Sequence, residues 1–143
     1  MSELSVKFTM PKFVNLTHPR IAHIYPKLAD LVSDYMGDRD VLTNYNLTPT
    51  DNTDYASPLD FFQKLLDTQV DFESQIYEVI NAAEEDSDLS TKVFLENFLR
   101  EITPLSAQII LILDKAEAYN NDWMRFDADS DDFVTLPIMQ GKG

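Results

Sequence analysis

The chain has 143 residues, 44% of them hydrophobic, which is enough for one domain with one buried core. It contains no cysteine, so disulfides, thiolate nucleophiles and sulfur-ligated zinc are excluded, and its three glycines cannot build a phosphate-cradling loop. The net charge of −14 is unevenly spread: Lys7, Lys12, Arg20 and Lys27 against Glu3 leave residues 1–28 at +3, and the remainder carries −17.

Residues 1–18 read as a mildly basic arm with little periodicity. The opening "MSELSVKFTMPKF" lacks the uninterrupted apolar run of a signal peptide, and no stretch of the chain is apolar for long enough to cross a bilayer, so a cytoplasmic protein without membrane partners is expected. An acidic body repels nucleic-acid phosphates, which restricts direct DNA binding to the arm.

A bundle domain is expected over residues 19–119. "HPRIAHIYPKLADLVSDYMG" predicts a first helix with Ile21, Ile24 or Tyr25, Leu28, Leu31, Val32 and Tyr35 inward and Gly37 as its stop. About 20 residues without a period follow, rich in Asn, Asp, Thr and Pro. A connection of that length suits a crossover between two parallel helices. "SPLDFFQKLLDTQVDFESQIYEVINAAEE" then predicts a long helix: Ser57 caps it, Pro58 takes the first position, and Asp60 completes a capping-box-like start. Phe62, Leu65, Leu66, Gln69, Phe72, Ile76, Val79, Ile80 and Ala83 form its inner stripe. A second long helix carries Leu95, Phe98, Leu99, Ile102, Leu105, Ile109, Leu113 and Ala116, with Pro104 inside it predicting a kink or division near Ile102. The short acidic turn between the two makes them antiparallel.

Residues 120–143 read as an acidic, solvated tail in which Trp123 and Met124 serve as anchors to the core. Within it, "RFDADSDDFVTL" places Asp127, Asp129 and Asp131 at alternate positions, the spacing of the first ligands of a calcium loop. Counted from Asp127, however, the sixth residue is Asp132 where Gly is needed, and the twelfth is Ile138 where Glu is needed.

The order of elements, with "DYMGDRDV" followed by "SPLDFFQKLLDTQ", with "FVNLTHPRIAHIYPKLADL" and with "AEEDSDLSTKVFLENFLREI", resembles the ferritin-like superfamily, ferritins and the Dps miniferritins included, over roughly residues 13–118. The resemblance implies an all-α, ferritin-like helical bundle. The long first helix of such a bundle has no counterpart here, so the fold is expected as a truncated one whose bare face is covered by a partner chain, the arm or the tail, with homo-oligomerisation as the inference. A bundle di-iron site needs Glu-x-x-His pairs, and the chain has none. In a ferritin-type alignment the third-helix carboxylate falls on Thr68 while Glu101 survives; in a Dps-type alignment the acid due four residues after His18 is Ala22.

The metal candidates are therefore Glu73, Glu101, His18, Asp127, Asp129 and Asp131, with iron the metal the resemblance implies. No Ser or Thr has a neighbouring His and carboxylate to activate it. Two functions compete: a degenerate ferritin or Dps relative tied to iron storage or stress protection of DNA without an intact ferroxidase centre, and a non-enzymatic acidic interaction module that binds a protein partner and mimics nucleic-acid charge. A calcium-responsive module built on the Asp127 run is a third.

Overall fold

The computed structural model describes residues 1–44 and 53–138. Among them every regular element is helical: α1 (Ser2–Val6), α2 (Pro11–Thr17), a π-helical turn (His18–Ala22), α3 (Ile24–Asp38), α4 (Pro58–Glu85), α5 (Leu89–Ala118), α6 (Trp123–Ala128) and a 3₁₀ turn (Ser130–Asp132). No helix is long and apolar enough to cross a membrane.

The centre of the fold is the antiparallel hairpin of α4 and α5. Ser57 caps α4 as the sequence predicts, its hydroxyl accepting from the Asp60 N–H at 3.2 Å. The helix ends where Ser87 turns left-handed (φ 57°), so that the Asp88 N–H reaches back to the Ala83 carbonyl at 2.8 Å. Asp88 in turn caps α5 by accepting from the Thr91 N–H at 3.2 Å.

α5 runs undivided through Pro104, so the helix is not divided near Ile102. Pro104 lies on the exposed face, where water can serve the Arg100 carbonyl that loses its helical donor. The stop of α3 also differs from the reading at Gly37. The helix passes Gly37, and Asp40 takes the left-handed position (φ 57°), with the Val41 N–H bonded to the Met36 carbonyl at 2.9 Å.

α3 lies along the hairpin with its start near the middle of α4 and its end at the α4–α5 turn. The Tyr25 hydroxyl donates to Gln69 at 2.9 Å. Ten residues later, Tyr35 stacks on Phe94 with ring centroids 4.1 Å apart, and four residues beyond that Arg39 grips both carboxylate oxygens of Asp88 at 3.1 Å. α3 therefore runs parallel to α4 and antiparallel to α5, the relation that the long connection predicts. The middle of that connection, residues 45–52, lies outside the described residues.

Residues 1–18, expected as an arm, fold instead. Leu4, Met10 and Phe13 are buried, and Phe13 meets Phe62 and Phe126 with centroid separations of 5.3 Å each. The expected solvated tail is likewise packed: Phe126, Phe133 and Val134 belong to the core. Trp123 packs against Phe126, whereas Met124, the other expected anchor, is 84% exposed. Buried Gln108 fixes this segment by donating to the Phe133 carbonyl at 2.8 Å and accepting from the Thr135 and Leu136 N–H groups at 2.8 and 3.0 Å. The two chain ends thus form one cap over the start of α4 and the end of α5, because each carries aromatic and aliphatic side chains that the hairpin alone could not shield.

Candidate functional site

Where α3, α4 and α5 meet, a polar chain crosses the apolar interior. Gln69 is 1% exposed; its amide oxygen accepts from the Tyr25 hydroxyl and its amide nitrogen donates to the Ser106 hydroxyl at 3.0 Å. Ser106 also bonds the carboxylate of Glu73. Burial pushes the Tyr25 phenol up to about 12, which keeps it protonated and donating. The network thus joins one amide, two hydroxyls and one carboxylate. Glu101, by contrast, is exposed on α5.

The acids of the 127–131 run go to separate structural partners. Asp127 accepts from the Phe13 N–H at 2.8 Å, Asp129 from the Tyr119 hydroxyl at 2.8 Å, and Asp131 from Lys12 at 2.7 Å. The Lys12 ammonium holds the Asp131 carboxyl below the usual carboxylate range, and Asp131 raises Lys12 in return. No three His, Asp or Glu side chains converge among the described residues. The cations of the expected arm are also engaged, Lys7 with Asp54 and Lys12 with Asp131, and just beyond it Arg20 bonds the Leu16 carbonyl at 2.8 Å.

Between α3 and α4 the cap does not reach, and an open apolar groove of about 490 Å³ remains. Leu28 and Val32 form one wall, Phe72 and Val79 the other, and Leu95 and Phe98 the floor. Val79 belongs to the stripe expected to face inward, yet it is 50% exposed and lines the groove. A separate, smaller cavity at Leu65 and Thr68, toward the start of α4, shares Tyr25 with the groove. Exposed acids neighbour the lining in sequence, Asp30 after Ala29, Asp71 before Phe72 and Glu78 before Val79, and Lys64 lines the smaller cavity.

His18 and His23, both exposed, approach with their Nε2 atoms 3.0 Å apart and ring centroids 4.5 Å apart. The π turn sets this pairing through a His23 N–H to His18 carbonyl bond of 3.3 Å.

Sequence reasoning placed Gln69 in the α4 stripe but gave it no role; a lone amide among apolar stripe positions was the available signal. Ser106 and Gln108 carried no such signal, because their partners lie on other elements.

A family model described as a ferritin-like domain matches residues 21–117, which takes in α3, α4 and α5 and leaves out α1, α2 and α6. No curated protein and no solved structure matches the chain.

Proposed function

The chain belongs to the ferritin-like family, and from that premise we propose that it acts as a non-enzymatic helical binding module, whose α3/α4 groove receives a basic amphipathic helix from a partner protein. The observation that carries this reading is the groove: an apolar trough on a chain of net charge −14, with exposed acids next in sequence to its lining residues. From Phe72 to Val79 it follows α4 for seven residues, roughly 10 Å of helix, the length of about two turns of an incoming helix. Apolar side chains would fill the trough while Lys or Arg on the flanks meets Asp30, Asp71 and Glu78. The same acid excess disfavours a second copy of this chain as the occupant.

The polar network supports the loss of a ferroxidase centre. A two-iron site in a bundle takes several carboxylates and two imidazoles converging in the core. Gln69, Tyr25, Ser106 and Glu73 supply one carboxylate and no imidazole, so this donor set does not fit. Iron storage and DNA protection, the roles the family resemblance implies, would need acids shared between chains.

The test starts with light scattering and metal analysis of one chromatographic peak, then titrates the full chain with a fluorescent 18-residue Leu/Lys helix. Val79→Asp separates the two forces. Added negative charge tightens purely electrostatic binding, whereas loss of an apolar wall weakens groove binding by about tenfold. Weaker binding and steeper salt dependence are expected. Binding by Val79→Asp equal to or tighter than that of the unaltered chain would sink the proposal, as would a large iron-loaded shell.

A further inference from the structure

We propose that His18 and His23 form a two-imidazole chelate for a single late first-row divalent ion, Cu²⁺ most tightly. This inference is independent of the groove and of any iron chemistry. In an α-helix, residues five apart are separated by roughly 140° around the axis, so their side chains diverge. The π turn His18–Ala22 adds the extra residue that brings both rings to one side.

Both rings are exposed, and a 3.0 Å approach of two Nε2 atoms has two explanations: one nitrogen donates to the other, or both face one cation. The same spacing also accommodates the second. An ion about 2.0–2.1 Å from each nitrogen would have a nitrogen–metal–nitrogen angle of roughly 90–95°. That is the cis angle of square-planar and octahedral coordination and is narrower than a tetrahedron allows, which favours Cu²⁺ and Ni²⁺ over Zn²⁺.

The surroundings leave the pair accessible. Arg20, the cation between the two histidines in sequence, turns its guanidinium back to the Leu16 carbonyl at 2.8 Å. No third His, Asp or Glu completes the set among the described residues, so water would fill the other positions and leave them exchangeable. With each proton on Nδ1, both Nε2 lone pairs are available, and binding displaces two waters from the ion. The absence of carboxylate donors makes the pair a poor site for iron, calcium or magnesium.

The experiment adds one equivalent of Cu²⁺ to the full chain at neutral pH, with excess Mg²⁺ to occupy the surface carboxylates. Electron paramagnetic resonance counts the coordinating nitrogens, and competition titration gives affinity. Two nitrogens are expected in the unaltered protein and one in each of His18→Gln and His23→Gln, with binding roughly a hundredfold weaker because the second ligation is intramolecular. Affinity should fall in the order Cu²⁺, Ni²⁺, Zn²⁺. The proposal is overturned if the double variant binds Cu²⁺ as the unaltered chain does, or if the unaltered chain shows fewer than two nitrogens. Circular dichroism of these exposed-site variants checks that the helices persist.

Discussion

Single side chains at the helix ends carry much of the specification. Asp88 caps α5 through Thr91 and also holds Arg39 at the end of α3. The Thr91 hydroxyl and N–H, and then Arg39, keep the Asp88 carboxyl below its ordinary range. A depressed folded value means that this contribution is present above about pH 4, the unfolded carboxylate range, and is lost as pH falls through the folded value. Melting temperatures measured from pH 6 down to pH 3 should therefore fall less steeply for Asp88→Asn than for the unaltered chain, from a lower starting point; parallel curves would contradict this. Gln108 offers a second residue-level test. Gln108→Ala strands the Phe133 carbonyl and the Thr135 and Leu136 N–H groups, at a cost of about 1–3 kcal/mol. Faster limited proteolysis after residue 132 is the expected readout. The Ser57 cap was legible beforehand because it is a local rule, whereas the roles of Gln108 and Ser106 depend on partners 25 or more residues away.

Among the elements, the long helices were the most legible, since an apolar stripe repeated over eight turns leaves little ambiguity of type. What the stripe could not tell was which of its members would be covered. Val79 and Ile80 are consecutive members of the same stripe, yet Ile80 is buried and Val79 lines the open groove. The fate of Pro104 turned on its face: an inward proline would have left a carbonyl dry, while the outward one leaves α5 continuous. Pro104→Ala should accordingly raise stability by roughly 1–3 kcal/mol through the restored hydrogen bond and better helix propensity. Urea titration would measure it, and an unchanged midpoint would show that the proline costs nothing where it is. The π turn was not legible at all, because "HPRIAHIYP" fits the start of an ordinary helix as well.

At the scale of the whole molecule, the parallel course of α3 and α4 followed from connection length alone, while the conversion of both chain ends into a cap did not. Composition suggested a basic arm and an acidic tail, and charge indeed pairs them through Lys12 and Asp131. The decisive members are apolar, however, and they were scattered too sparsely to announce a core. Phe126 is fully buried among Phe13, Phe62, Tyr119, Trp123 and Phe133. Phe126→Ala should cost about 3–5 kcal/mol in chemical denaturation. If residues 120–138 were a dispensable tail, the loss would be near zero.

The bond from the Phe13 N–H to Asp127 spans 114 positions of sequence. On the ribosome, α2 must therefore wait until residue 127 has been made before all of its partners exist. The central hairpin, whose contacts are close in sequence, can form much earlier. During synthesis Leu4, Met10 and Phe13 are bare apolar side chains on an unfinished chain. They stay so until the segment around Phe126 and Asp127 has been made and closes over Phe13.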